Sequence, residues 1–177
     1  SRSHLDSEYD MLEIRMPARN TTRLYTANAY YHVYNRGVEK RIVFMTSADY
    51  RIFLYYLFIY LAPESIVKNT YPDLKIALRN GNFHNKITLH SYVLMPNHFH
   101  LLIHQSESKY ITQFMRRLTN AYTTYFNKKY SRVGALFQGV FKCSSVESDP
   151  YLLQLNRYIH LNPLPILQPT QKLEDYL

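Results

Sequence analysis

The sequence has a single cysteine, Cys143, and no tryptophan. One thiol excludes an intramolecular disulfide and a cysteine-based zinc cluster, so a reducing cytoplasm is the expected compartment. Cys143 itself reads as a small strand hydrophobe. Nowhere does an apolar run approach the roughly 18 residues of a spanning helix, because Arg51 and Pro63 bracket Ile52–Ala62. No membrane span is therefore expected. Ser1–Arg15 lacks a signal-peptide h-region and precedes Met16, so a vector-derived remnant and a native tail are both open. Repeats and low-complexity tracts are also missing. Acidic residues are the scarcer sign, 13 Asp and Glu against 21 Lys and Arg, for a net charge of +8. That balance suggests an anionic partner, nucleic acid first and a membrane surface second.

With 177 residues, 46% of them hydrophobic, the chain is most simply one folded domain. Its 18 Tyr and 9 Phe suit base stacking where they are exposed, although most such rings belong to a core. Ala29–Asn35 reads as a first strand, closed by a turn at Arg36-Gly37. Ser47 can cap a helix that runs to about Leu61 and stops at Pro63. Glu64–Asn85 is the least regular stretch and reads as a short helix plus a surface loop. Ile87–Leu94 and His98–His104 form a hairpin about Met95-Pro96-Asn97. Ile111–Tyr130 is a long amphipathic helix with Phe114, Leu118, Ala121, Tyr122 and Tyr125 inward. Leu136–Gln138 and Val140–Val146 read as short strands about Gly139. Asp149 caps a last helix, Pro150–Leu161, which Pro163 and Pro165 end. Strand, helix, strand, strand, helix, strands, helix is the order of an α+β fold, an antiparallel sheet covered by helices.

Met95–Ile103 is the most informative segment. A strand repeats every two residues, so His98 and His100 share a face, roughly 7 Å apart along it. Two neutral imidazoles so placed can share a metal ion; a packed, hydrogen-bonded pair is the other reading of the same spacing. On the last helix, Tyr158 and Asn162 lie one turn apart on one face, and Leu152, Leu155 and Ile159 form the stripe that holds it to the sheet. An amide oxygen is a competent hard ligand, and a phenol beside a metal-bound phosphate could attack it. Spacing alone does not single out a nucleophile among so many tyrosines. Tyr122, Tyr125 and Tyr130 compete, but lie on the long helix beside core residues.

Several segments in order are similar to the REP-associated tyrosine transposases, a group within the single-tyrosine HUH transposases. They are Tyr31–Val38, Leu94–Leu102, Met115–Leu118, Tyr125–Asn127, Leu136–Lys142 and Arg157–Pro163. The resemblance covers roughly Ala27–Leu164. It implies a ferredoxin-like α+β core and cleavage and rejoining of single-stranded DNA near hairpins, dependent on Mg²⁺ or Mn²⁺. By motif, His98 and His100 would bind the metal and Tyr158 would form a 5′-phosphotyrosine, leaving a free 3′-OH. Asn162 would be a third ligand where the wider group commonly has Gln, and its shorter side chain makes a water bridge the alternative. Residues 1–26 then form an N-terminal extension, 27–165 the transposase domain and 166–177 a C-terminal tail. Glu64–Lys86 is longer than the corresponding connection usually is, and nothing matches the tail. A monomer and a homodimer that swaps the tyrosine helix both stay open.

Phosphate contacts would come from Arg36, Lys40, Arg41, Arg116, Arg117, Lys128, Lys129, Arg132 and Lys142. His32 reads as a packing or DNA-contact residue, and His104 as a strand-end surface residue. Two competing functions use the same features: a domesticated hairpin-DNA-binding protein without turnover, and a metal-dependent phosphohydrolase that activates water. A DNA substrate implies association with the nucleoid.

Overall fold

The computed structural model describes residues 25–72 and 82–146, with Pro150, Leu152, Leu153, Leu155 and Arg157. Strands and helices follow in the order β1 (Ala29–Arg36), α1 (Ser47–Leu61), α2 (Glu64–Thr70), β2 (Ile87–Met95), β3 (His98–Gln105), α3 (Tyr110–Lys129) and β4 (Lys142–Val146). The sheet order is β2-β3-β1-β4, and each neighbouring pair is antiparallel. With a helix between β1 and β2 and another between β3 and β4, this is the ferredoxin-like α+β arrangement. The five described residues of the last helix are helical, and Pro150 suits its first turn. Tyr158, Ile159 and Asn162 lie outside the described residues, as do the extension before Tyr25 and the tail.

Both helices that cover the sheet use one face of it. From β1, Tyr31 and Val33 point there; from β3, Phe99, Leu101 and Ile103. They meet Phe53 and Leu57 of α1 and Ile111, Phe114, Leu118, Tyr122 and Phe126 of α3. The inward stripe of α3 includes Ile111, Met115 and Phe126, whereas Ala121 and Tyr125, expected there, are only half-buried. The Tyr125 hydroxyl reaches out to Asp49, while Tyr122 takes the centre of the stripe. Its ring packs on Phe44 and Phe53, and its hydroxyl donates to the Val43 carbonyl at 2.6 Å.

Thr46, not Ser47, is the N-cap of α1, and it forms a capping box with Asp49. The Asp49 carboxylate accepts from the backbone N–H of Met45 and Thr46, each at 2.8 Å. It also accepts from Tyr125 and Tyr130 and pairs with Lys129 at 2.6 Å, although the carboxylate is fully buried. Burial alone would raise its pKa; these donors, Lys129 foremost, override burial and hold it well below the usual carboxylate range.

Strand β2 reverses the parity of its side chains midway. A bulge between Leu89 and Ser91 inserts His90, so Ile87 and Leu89 face the core while Ser91, Val93 and Met95 face the opposite side. Leu136–Gln138, expected as a strand, makes only an isolated bridge, Gly37 to Phe137, and β4 begins at Lys142 instead of Val140. Gly139, at φ 71°, turns the chain between them.

Candidate nucleic-acid and metal site on the open sheet face

The second face of the sheet carries His98, His100, Leu102 and His104 from β3. Opposite them in register on β1 stand Arg36, Tyr34, His32 and Tyr30. Among the described residues a small apolar cluster covers it: Val93, Leu102 and Leu155 are buried, with Met95, Val146 and Leu152 packed around them. Leu152 and Leu155 therefore lay the last helix against the face that bears the two histidines.

The hairpin tip is held from outside. The Pro96 carbonyl accepts from the N–H of Val43 (2.7 Å) and of Phe44 (3.0 Å), and the Asn97 carbonyl from that of Gly37 (2.8 Å). A side chain at Gly37 would collide with the Arg41 carbonyl and crowd Val43, so the close approach needs glycine. These bonds fix where β3 starts and hence where His98 stands.

His98 and His100 have ring centroids 5.0 Å apart with planes at 86°. Each has its Nδ1 engaged. That of His98 lies 2.6 Å from the Asn97 amide oxygen, and that of His100 lies 2.7 Å from His32 Nε2. The rings of His32 and Tyr34 stack with His100 at 5.0 and 5.4 Å. Burial keeps all three imidazoles neutral. It lowers the His32 pKa to about 4, and with the neighbouring His32 and His98 it lowers that of His100 further. His98 is lowered by burial and then by the Arg36 charge. Neutral imidazole is the form that binds a metal.

Next to the two rings lies a cavity of about 270 Å³, lined by Tyr34, Asn35, Arg36, His98, His100, Gln138 and Lys142. Among the described residues no group of three or more His, Cys, Asp or Glu is arranged to hold a metal. Two imidazoles are thus the donors these residues offer, and further ones would come from an amide, water or the substrate.

Of the basic residues read from the sequence, Arg36 and Lys142 line this cavity. Lys40 lies nearby, its carbonyl accepting from Asn97 Nδ2 at 3.3 Å, and Arg41 pairs with exposed Glu39. Arg116, Arg117, Lys128 and Lys129 belong to α3, across the sheet. Arg117 lies over Phe83, Lys129 is bound to Asp49, and Arg132 bonds Asn127. Tyr34, Asn35 and Gln138 were not singled out by sequence. The alternation of β1 could have shown Tyr34 in phase with His32; no local signal marks Gln138.

Residues 58–162 match the model of the family described as Transposase, IS200-like, over more than half of the chain. The chain belongs to the IS200-like transposase family. The matched segment contains His98 and His100 and, in sequence, Tyr158 and Asn162. This transposase is similar in structure to a REP-associated tyrosine transposase bound to a REP hairpin, with a TM-score of 0.54 at 12% identity. That match covers 84% of this chain and 74% of the other, and at such identity it shows the shared fold. A structure assigned as a transposase from Deinococcus radiodurans R1 also aligns, with a TM-score of 0.43 and 18% identity over 80% of this chain and 96% of that one. No curated protein sequence matches the transposase. No helix among its described residues is long and apolar enough to cross a membrane.

Proposed function

We propose that this transposase cleaves and rejoins single-stranded DNA beside a hairpin, with Tyr158 as nucleophile and a divalent cation, Mg²⁺ or Mn²⁺, held by His98, His100 and Asn162. The observation that carries the proposal is the pair of neutral imidazoles on one sheet face, each with its Nδ1 engaged, beside a cavity that Arg36 and Lys142 line. A ligating histidine has this form, with one ring nitrogen held by a neighbour and the other presented to the metal. The cation, when bound, polarises the scissile phosphate and stabilises the leaving oxygen.

The Tyr158 phenolic oxygen attacks phosphorus; a P–O(Tyr) bond forms, the P–O3′ bond breaks, and the 3′ oxygen takes up a proton. The products are a 5′-phosphotyrosine and a free 3′-OH. A second 3′-OH reverses the step and returns the phenol, with no outside energy source. Support for Tyr158 comes from Leu155, three residues before it in sequence, which is helical and packs with Val93 and Leu102 on the histidine face. Arg36 and Lys142 contact the phosphates at the cleaved bond. Lys40 and Arg41 extend that path, while Arg116, Arg117, Lys128, Lys129 and Arg132 serve DNA that passes the helical side. The hairpin is carried over from the structural neighbour, and the enzyme acts on DNA at the nucleoid, as a monomer or as a homodimer.

The test is a labelled single-stranded hairpin oligonucleotide incubated with Mn²⁺, resolved on a denaturing gel. Wild type should give a cut strand and a covalent protein–DNA adduct; Tyr158→Phe should give neither while still binding the hairpin. Undiminished cleavage by Tyr158→Phe would leave an activated-water phosphohydrolase. Tight binding with no cut by wild type would leave a binding protein.

A further inference from the structure

The partners of the two Nδ1 atoms differ in kind, and the difference assigns them work. The Asn97 side chain cannot be turned around, since its Nδ2 donates to the Lys40 carbonyl at 3.3 Å. Its oxygen must therefore face His98, and a carbonyl oxygen only accepts. His98 carries its proton on Nδ1, and Nε2 keeps a lone pair. His32 is ambident. Its Nε2 lies 2.7 Å from His100 Nδ1, and both rings are buried and neutral, so one nitrogen donates and the other accepts. If His32 donates, the His100 proton sits on Nε2 and that ring cannot ligate. If His100 donates, its Nε2 lone pair is the ligand. The remaining nitrogen, His32 Nδ1, is buried without a hydrogen-bond partner among the described residues in either case. Among the described residues, no hydrogen bond on the far side of His32 fixes the choice.

Building on the metal site proposed above, we infer that Asn97 and His32 are its positioning residues. Asn97 presets His98 in the ligating tautomer, while His32 acts as a tautomeric relay that accepts from His100 Nδ1–H when a cation binds. In a pair that starts with His32 donating, the switch would carry the shared proton from His32 Nε2 to His100 Nδ1, His100 would lose its Nε2 proton and His32 would gain one on Nδ1, with no net change in charge.

Histidine side-chain ¹⁵N NMR on the full chain, with and without Mg²⁺, reads the tautomers directly. His98 should be Nδ1–H in both conditions, and His100 should be Nδ1–H in the Mg²⁺-saturated protein. An Nε2–H signal for His100 under Mg²⁺ overturns the inference. In parallel, Mn²⁺ affinity is measured by electron paramagnetic resonance for His32→Phe, which keeps a ring but no acceptor, and His32→Gln, whose amide oxygen reaches as far as Nε2. His32→Phe should bind Mn²⁺ about 10- to 100-fold more weakly, with recovery in His32→Gln. Unchanged hairpin binding in chelator shows that the fold survives. His100→Ala separates the two levels. If it binds Mn²⁺ like wild type, the metal site itself is wrong. If it loses Mn²⁺ while His32→Phe does not, the site stands and the relay falls.

Discussion

On one side of the sheet Val33, Phe99, Leu101 and Ile103 are fully buried beneath two helices, and the buried carboxylate there, Asp49, has a donor on every side. On the other side His32 and His100 are nearly as buried, yet among the described residues the apolar cover amounts to a few leucines, valines and a methionine. That side also holds His32 Nδ1, Ser91 Oγ and Ser144 Oγ, three buried polar atoms without a hydrogen-bond partner among the described residues. The same strands supply both faces by alternation, so the contrast is not one of backbone. The helical face is closed over a buried, fully bonded carboxylate, whereas the histidine face keeps polar groups at a cost in stability, as binding and catalytic surfaces do.

The largest expected effect lies on the closed face. Asp49→Ala strands Lys129 and two tyrosine hydroxyls and breaks the α1 cap, and should cost about 3–5 kcal/mol in urea denaturation. A loss under about 1 kcal/mol, the size of an exposed pair, would erase the contrast.

Acid should strike the histidine face first. A histidine whose folded pKa is depressed binds its proton more readily when unfolded, so its stability contribution is present above about pH 6.5 and falls as pH drops toward the folded value. In chelator, lowering the pH from 7 to 5 should cost about 2 kcal/mol for each of His32 and His100, seen as falling urea midpoints. His32→Gln should remove its share. Asp49, also depressed, begins to lose its contribution only below about pH 4. A flat profile between pH 7 and 5 would mean that the imidazoles are not buried neutral.

Leu155→Ala should separate chemistry from global stability. Because its cluster is small, the urea midpoint should move less than for Phe99→Ala, while adduct formation slows about tenfold or more as the last helix loosens. The reverse ranking would mean that the helix is not held through Leu155. Smallest of all, Arg36→Ala and Lys142→Ala should each reduce the salt slope of hairpin binding by about 1. Arg116→Ala, across the sheet, should change it less; equal slopes would mean that the DNA wraps both sides.

Strands and helices were legible because their patterns are local. The aromatic run of β1, the Pro-Asn turn and the stripe of α3 each state their structure within a few residues. The bulge at His90 was not legible, since a single inserted residue flips parity without changing composition. Leu136–Gln138 carries strand-like residues, but its neighbour in space, Gly37, offers one bridge and no strand to pair with. At the site, the alternation of His98 and His100 was plain from the sequence. Their Nδ1 partners were divided: Asn97 is adjacent, whereas His32 is 68 residues away and became a neighbour only through the β1–β3 register. From sequence, His32 reads as a packing or DNA-contact residue, because spacing alone does not bring it to His100.

The histidine face is proposed to work with Tyr158, and Tyr34 is the tyrosine that tests that pairing. Among the described residues Tyr34 is the tyrosine lining the cavity beside His98 and His100. The most direct measurement is to digest the covalent adduct formed with a single-stranded hairpin and Mn²⁺ and to locate the nucleotide-bearing peptide by mass spectrometry. The modification should map to Tyr158. A nucleotide on Tyr34, or cleavage with no modified tyrosine, would contradict it.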